Sequence, residues 1–383
     1  MIAGGVPGVG EAVSGVSGAF VLGPDGQFAA RDLVVDAGLL AAPGTAPGDN
    51  GVDGTGFWVT PGFVDVHTHL AWSDFDDHAP DPAGTARNRR ATLAAGVTAV
   101  RDAGGYDPRV HREGSDEPGP RVRCSIDILG AADAAAGEWH LRQRVVQLAE
   151  AGADWIKVAG TGGVGAGSGQ VEPTFGLPAF AAVLDEARRA GLPVMVHAWG
   201  GPALDWAIDL GARSIEHAVH LTAEQASRAA QAGVVVVPTV WIYTDVLRLA
   251  TEGALHPSLA DAASRAVEAH PEAVRHCLEA GVALATGTDA GLPGQHGHNL
   301  CEVAAMIEVG VPVDVALAAA TTGGLRLLEP GADPPLSPGS AADLVLFDRN
   351  PATVEALRDP SAVVAVVQGG RVVHRRVDQP LSC

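Results

Sequence analysis

Short apolar runs in the central part of the chain, residues 60–330, alternate with stretches of helical periodicity. This alternation is typical of parallel βα units. Apolar residues recur at helical spacing in 178–190 and 223–232, which predicts two of the intervening helices. The strand-like runs are 62–70, 97–103, 122–129, 155–159, 194–198, 214–218, 234–239 and 283–289. Eight parallel strands can close a barrel, so the pattern predicts an α/β fold built on a (β/α)8 TIM barrel.

Both ends of the chain carry shorter apolar runs that are separated by turn residues. These runs are 19–22, 33–35, 57–59, 342–347, 363–367 and 371–374. Gly369 and Gly370 separate the last two runs, as expected for a β-hairpin turn. The two ends together predict one small β-sandwich domain, residues 1–59 and 336–383, beside a barrel domain at 60–335.

Composition and net charge indicate which kinds of molecule the protein can bind. The 383 residues are 47% hydrophobic, enough for a sizeable core, and carry a formal net charge of −20. Such a field repels phosphate backbones and anionic lipid, so neither nucleic acid nor a membrane surface is expected as a partner. A small-molecule substrate is expected instead, and a homo-oligomer is compatible with the composition.

Cysteine usage and the absence of long apolar segments bear on location. The four cysteines, Cys124, Cys277, Cys301 and Cys383, form no Cys-x-x-Cys pair, which suits a reducing compartment. No apolar run approaches the roughly 18 residues of a membrane-spanning helix, and no basic residue precedes Arg31 as in a signal peptide. These features predict a cytoplasmic protein.

Lysine is nearly absent. Of the 25 basic residues only one, Lys157, is lysine, and it ends the fourth predicted strand. A position that keeps lysine among arginines can require an amine that loses its proton. Near divalent cations the pKa of this amine would fall, and a neutral amine reacts with carbon dioxide. The resulting carbamate is an anionic oxygen ligand that can bridge two metal ions.

Other polar residues with metal-binding side chains also end predicted strands. The C-terminal ends of barrel strands face the active-site mouth. The candidates for metal ligation are His67, His69, Lys157, His197, His217 and Asp289. Imidazole and carboxylate ligands suit zinc, and also manganese, iron or cobalt. A second His-x-His, His296 and His298, lies in a glycine-rich loop, where His296 is interpreted as a substrate contact.

Several sequence segments resemble one known family. They are Pro-Gly-Phe-Val-Asp-Val-His-Thr-His-Leu at 61–70, Gly-Ala-Asp-Trp-Ile-Lys-Val at 152–158 with Thr-Gly-Gly at 161–163, Ser-Ile-Glu-His at 214–217, Gly-Thr-Asp at 287–289, and Gly-Ser-Ala-Ala-Asp-Leu-Val at 339–345 with Asn-Pro at 350–351. Over nearly its whole length the chain resembles the amidohydrolase superfamily. The segment around Lys157 is similar to the binuclear branch with a carboxylated lysine, near the prolidase-like and Xaa-Arg dipeptidase group.

The resemblance implies a role for each candidate. His67, His69 and Asp289 would hold one metal ion, and His197 and His217 would hold the second. Carboxylated Lys157 and a hydroxide would bridge the two ions. Asp289 would accept the proton of the hydroxide during attack and pass it to the leaving amine.

Substrate contacts are less well defined by the sequence. Aromatic and histidine residues that follow the predicted strands are the candidates, namely Trp199, His220, Trp241, Tyr243 and His296. The roles of His140, His220 and His298 stay open. Prolidase-like relatives commonly have a Gly-Gly-His loop after the third strand, whereas this chain has Leu129 followed by Gly-Ala-Ala-Asp-Ala, a departure that argues against a dipeptide substrate.

The sequence therefore predicts a metal-dependent hydrolase of an amide-like carbon–nitrogen bond, in an N-acyl amino acid, a dipeptide-like compound or a cyclic amide. A lactonase or an ester or organophosphate hydrolase would use the same binuclear site. A mononuclear imidazolonepropionase-like or deaminase-like enzyme would have the same barrel without a bridging lysine. A non-catalytic scaffold is disfavoured because such relatives tend to lose ligands, and here every ligand position is filled.

Overall fold

The computed structural model describes residues 6–46, 48–72, 81–110, 118–166, 169–292 and 294–376, so Cys383 and the ends of the predicted terminal domain, 1–5 and 377–383, lie outside the described residues. Its strands are β1 (Gly15–Leu22), β2 (Phe28–Asp36), β3 (Leu39–Leu40), β4 (Gly51–Asp53), β5 (Trp58–Pro61), β6 (Phe63–Thr68), β7 (Val97–Asp102), β8 (Arg121–Cys124), β9 (Ile128–Leu129), β10 (Ile156–Ala159), β11 (Val194–Ala198), β12 (Ser214–His217), β13 (Val235–Val237), β14 (Leu344–Phe347), β15 (Val363–Gln368) and β16 (Arg371–Arg375). Its α-helices are α1 (Pro82–Ala94), α2 (Ala131–Ala136), α3 (Glu138–Glu150), α4 (Leu177–Arg189), α5 (Pro202–Asp209), α6 (Ala223–Ala232), α7 (Val240–Thr251), α8 (Ser258–Ala280), α9 (Leu300–Glu308), α10 (Val313–Ala318), α11 (Gly324–Leu328) and α12 (Val354–Arg358).

The central strands pair in parallel, as the alternating pattern predicts. β6, β7 and β8 form one sheet, and β9 to β13 form a second sheet in sequential order. Every residue of β6 and β7 is buried, as expected for strands that are covered on both faces. The helices between the strands supply this cover. The parallel α/β organisation of the central region is therefore confirmed.

Residues 283–290 connect the two parallel sheets. The amide of Val236 donates to Ala283 O at 3.0 Å on one side. On the other side, the amide of Val66 donates to Thr286 O at 2.9 Å, and the amide of Asp289 donates to His67 O at 2.7 Å. The predicted eighth strand thus lies between β13 and β6, but it makes isolated bridges instead of a regular ladder. The regular ladders form two sheets, and a closed eight-stranded barrel stays a prediction.

The predicted strand 122–129 is interrupted. Ile126 has a φ of 65°, a left-handed conformation that ends β8, and pairing resumes in β9. β8 pairs with β7, whereas β9 pairs with β10. Because of this break, residues 121–129 contribute one strand to each of the two parallel sheets.

The two chain ends form one eight-stranded sheet, in the order β16-β15-β14-β5-β1-β2-β3 with β4 against β1. The structure shows one sheet here, so the predicted β-sandwich is not confirmed. The sequence pattern predicts where strands occur, but it does not predict how many sheets those strands form. Alternate residues of β14 face different cores: Leu344 and Leu346 pack within the terminal sheet, and Val345 and Phe347 pack on the central region. The predicted hairpin turn is present, with φ of 55° at Gly369 and 75° at Gly370. β5 spans the predicted domain boundary at residue 59, so the boundaries also stay predictions.

The two helices predicted from periodicity are present as α4 and α6. Thr222 caps α6, since its hydroxyl accepts from the amide of Gln225 at 3.2 Å, and Gly233 ends the helix in a left-handed conformation with φ of 68°. In the part of the chain that the structure describes, no helix is both long enough and apolar enough to cross a bilayer.

A substitution at Gly287 tests how closely the segment 283–290 packs against β6 and β13. A Cβ added at Gly287 would lie 2.5 Å from His67 Cβ and 2.6 Å from Val237 Cγ1. We expect Gly287→Ala to lower the free energy of unfolding by about 1–3 kcal/mol, the usual cost of overpacking, in urea denaturation. Gly165→Ala is the matched control, because nothing lies within 4 Å of its added Cβ. Equal stability of the two variants would contradict this account of the segment.

Candidate active site

Asp289 lies between two histidines, one near the end of β6 and one just after that strand. Its Oδ1 is 3.1 Å from His67 Nε2 and 3.2 Å from His69 Nε2. His69 lies beyond the last strand residue, where its Nδ1 donates to Gly104 O at 2.9 Å. Two residues apart on a strand point to the same side, and the connecting segment brings Asp289 to that side. The carboxylate is 24% exposed, whereas His67 is almost fully buried, so Asp289 faces the opening.

His197 and His217 lie beside this group. Their ring centroids are 4.4 Å apart, and those of His67 and His217 are 5.1 Å apart. His197 Nε2 donates to Gly162 O at 2.8 Å. His217 Nδ1 lies 2.7 Å from the hydroxyl of Thr239. The two rings are thus held by contacts from the segments after β10 and β13.

Strand-end backbone at the site is unusual. His217, Thr239 and Asp289 have φ of 73°, 51° and 55°, and Ala218 has 52°. Residues with a Cβ rarely adopt this left-handed region, and such positions concentrate at functional sites. At each of these positions the backbone changes direction near the end of a strand. The side chains of His217 and Asp289 thereby reach the cavity at the carboxyl ends of the strands.

The hydrogen-bond partners determine which nitrogen of each ring carries the proton. A carbonyl only accepts, so His69 Nδ1 and His197 Nε2 are protonated, and His67 Nδ1 likewise donates to Glu216 Oε2 at 2.7 Å. In the neutral rings, the lone pairs of His67 and His69 at Nε2 therefore converge on Asp289 Oδ1. Acceptors this close repel one another unless a cation or proton lies between them. Ligand atoms of His67, His217 and Asp289 all lie within 4.8 Å of one another, so this donor set fits a metal ion.

Lys157 completes the group from β10. Its Nζ is 3.2 Å from His67 Nε2, and only 3% of the residue is exposed. Burial lowers the pKa of the amine to about 8, against the opposing effects of Glu216 and Asp289. The structure thus brings all six predicted ligands together, and their role in metal binding stays a prediction.

A buried ion pair behind His67 was missed by the sequence reasoning. Arg101 Nη2 on β7 donates to Glu216 Oε1 on β12 at 2.9 Å, and both side chains are fully buried. The guanidinium also donates from Nε to Val66 O at 2.6 Å and lies 4.3 Å from the ring centroid of Trp155. Burial opposes the charge of Glu216, but Arg101 and His67 lower its pKa to about 2. An ionised Glu216 therefore orients His67 through Nδ1.

Asp65 is a second buried carboxylate that the sequence reasoning missed. Its Oδ2 accepts from the hydroxyl of Thr288 at 2.6 Å and from the amide group of Asn299 at 2.8 Å. Its Oδ1 accepts from the backbone amide of His67 at 3.2 Å. Asp65 therefore ties β6 to the segment that carries Asp289. A charged residue within an otherwise apolar strand was the available signal.

A cavity of about 270 Å³ opens over the predicted ligands. Of the predicted substrate contacts, Trp199 and Tyr243 line it, with ring centroids 5.1 Å apart. Further side chains line the cavity that were not predicted, namely Trp72, Ile128, Thr161, Val164, Ile242 and Val246. The walls are therefore largely apolar.

The other candidates lie away from the described cavity lining. Trp241 packs in the main core, and its amide donates to Glu302 at 2.7 Å. His220 is exposed, and its ring lies 6.5 Å from that of Trp199. His296 is buried behind the site, with Nδ1 at 3.2 Å from the hydroxyl of Thr92. His140 pairs with Asp133 at the surface, and His298 is exposed.

The model of the Amidohydrolase family matches residues 58–373. The chain belongs to the amidohydrolase family. The resemblance inferred from the motifs is confirmed by this match. As an amidohydrolase the chain is a hydrolase that acts on carbon–nitrogen bonds.

Individual relatives cover most of this amidohydrolase. An uncharacterized protein of Mycobacterium tuberculosis is 28% identical over 339 residues, covering 86% of this chain and 89% of its own length. Ochratoxinase of Aspergillus niger is 26% identical over 367 residues, covering 82% of this chain and 75% of its own. A solved prolidase complexed with N-methylphosphonate-L-proline has a TM-score of 0.87 at 25% identity, covering 96% of this chain and 100% of its own. These neighbours establish a TIM-barrel-type α/β fold.

The Arg101–Glu216 pair gives a stability test of this amidohydrolase site. Glu216→Gln leaves a buried guanidinium without its counter-charge, and we expect the free energy of unfolding to fall by about 3–5 kcal/mol in urea denaturation. The double variant Arg101→Met, Glu216→Gln removes both charges and should recover most of that loss. Equal losses in the single and double variants would show that the ion pair is not what holds this region together.

Proposed function

We propose that this amidohydrolase uses two divalent metal ions to hydrolyse an amide-like carbon–nitrogen bond. The observation that carries the proposal is the convergence of the Nε2 atoms of His67 and His69 on the carboxylate of Asp289, with a ligand atom of His217 beside them. A metal ion can join these atoms, and each of the two rings is already oriented by a partner on its other nitrogen. Zinc is the metal that imidazole and carboxylate ligands suit best, and manganese, iron and cobalt accept the same ligands.

The ligands divide into two groups by position. His67, His69 and Asp289 would hold one ion, and His197 and His217 would hold the other. Metal ions bound there supply Lewis acidity, which acidifies water and polarises a carbonyl. The chain's own residues orient this chemistry: Glu216 fixes His67, and Thr239 fixes His217.

We further propose that Lys157 is carboxylated on Nζ and bridges the two groups of ligands. Lys157 lies in contact with His67, and His197 lies near the end of the neighbouring strand β11. Arginine could supply charge at this position, but it cannot form a carbamate. A chain that uses lysine at this position alone is consistent with that requirement.

Asp289 is the residue proposed to move the proton. Its carboxylate contacts two histidines on one oxygen and is partly exposed. It can therefore accept a proton from the attacking water at the cavity and deliver it to the leaving nitrogen. The amine then leaves in its neutral form.

Lys157→Arg tests the carbamate bridge. The substitution keeps bulk and positive charge but cannot form the bridging anion, so we expect the fold to remain and turnover to fall by at least about 10³-fold. Elemental analysis of the purified variant should show fewer than the two metal ions per chain expected of the wild type. A variant with full activity, or a wild-type protein with one ion per chain, would contradict the binuclear mechanism and favour a mononuclear one.

Asp289→Asn separates proton transfer from binding. The amide has nearly the same shape, so substrate affinity should change little, whereas kcat should fall by about 10²–10⁴-fold. Steady-state kinetics on one amide substrate, with metal content measured in parallel, gives both quantities. An unchanged kcat in metal-replete Asp289→Asn would remove this residue from proton transfer.

A further inference from the structure

We propose that the substrate of this site is a neutral amide with an apolar or aromatic group beside the scissile bond and no free carboxylate. This inference rests on the proposed function, because it concerns the compound that the same site accepts. It excludes the N-acyl amino acids and dipeptide acids that the sequence leaves open, and it retains cyclic amides and uncharged anilides.

The walls of the cavity are the first support. Trp199 and Tyr243 meet edge to face on one side, and Ile242 and Val246 lie on the same helix, α7. Trp72 lies on the other side, with its ring stacked on that of His69 at 3.6 Å between centroids and 13° between planes. Such surfaces gain free energy by removing apolar groups from water.

Glycine residues make room for the indole of Trp72. A Cβ at Gly291 would lie 3.0 Å from Trp72 Cε3, and a Cβ at Gly105 would lie 2.7 Å from Trp72 Nε1. Gly105 also has a φ of 110°, which a side chain would disfavour. The ring thus occupies a slot between two backbone segments, where it presents an aromatic edge to the cavity.

Charge is the second support. Among the described residues that line the cavity, Lys157 is the one lysine or arginine, and in the proposed function its amine is carboxylated and engaged with the metal ligands. The proposed metal ions would engage the scissile amide, so a further carboxylate held against the apolar walls would lose its hydration without gaining a counter-charge, which is costly. The net charge of −20 also disfavours the approach of anions.

Apart from the predicted metal ligands, the polar side chains of the described lining are neutral. Thr161 accepts from the amide of Trp199 at 3.1 Å and donates to Gly162 O at 2.9 Å, so its hydroxyl is already engaged. Tyr243 is the other neutral polar side chain of the lining, and its hydroxyl can donate to an uncharged oxygen.

Paired substrates that differ by one carboxylate test this inference. We suggest 4-nitroacetanilide against 5-acetamido-2-nitrobenzoate, and N-benzoylglycinamide against N-benzoylglycine, all with metal-loaded wild-type protein. We expect kcat/KM for the neutral member to exceed that for the acid by at least about tenfold. An equal or reversed ratio overturns the inference and leaves amide hydrolysis standing. Hydrolysis of neither member of either pair counts against the proposed function itself.

A wall variant tests whether charge at this position sets the preference. Val164 is a partly buried residue of the lining, so Val164→Arg places a cation there, and Val164→Gln is the matched neutral control. We expect Val164→Arg to raise the acid-to-neutral ratio of kcat/KM by at least about tenfold over Val164→Gln. Because the ratio is taken within one variant, a general loss of activity does not affect it. Equal ratios in the two variants contradict the inference.

Discussion

The site depends on holding two imidazoles and a carboxylate in contact with one another. The Nε2 atoms of His67 and His69 lie 3.1 and 3.2 Å from Asp289 Oδ1, and such acceptors attract one another only through a proton or a metal ion. This arrangement persists because each imidazole is anchored from behind, with Glu216 on His67 and the carbonyl of Gly104 on His69. The fold therefore fixes the orientation of these ligand atoms from behind, and the atoms that face one another are free to share one cation.

The anchoring network extends through the strands and not only through the loops. Glu216 lies on β12 and its partner Arg101 on β7, so the pair crosses the interior between the two parallel sheets. Asp65 plays a similar part between β6 and the segment 283–290. Charges in these positions are expensive to bury, and each is satisfied here by several hydrogen-bond partners. Their cost is consistent with a function that requires fixed orientations more than maximal stability.

The predicted ligands could be found from the sequence because each is a metal-binding residue at or near the carboxyl end of an apolar run. Arg101, Glu216 and Asp65 come before that end, and the sequence prediction treated these positions as part of apolar strands. The partners that tie them to other strands and segments are more than thirty positions away in the sequence, so no local pattern reveals them. Two further features could not be predicted for the same reason: the single sheet of the chain ends and the irregular pairing of residues 283–290. Both depend on pairing between strands that are distant in the sequence.

Two aromatic residues after β13 show why a strand pattern alone does not predict which side chains reach the cavity. Trp241 and Tyr243 follow β13 two positions apart, and on a strand both would point to one side. The backbone of Thr239 instead turns with φ of 51°, and α7 begins at Val240. Two positions on a helix are separated by about 200°, so the two rings point in opposite directions. Tyr243 therefore lines the cavity with Val246, one turn later, and Trp241 packs into the core.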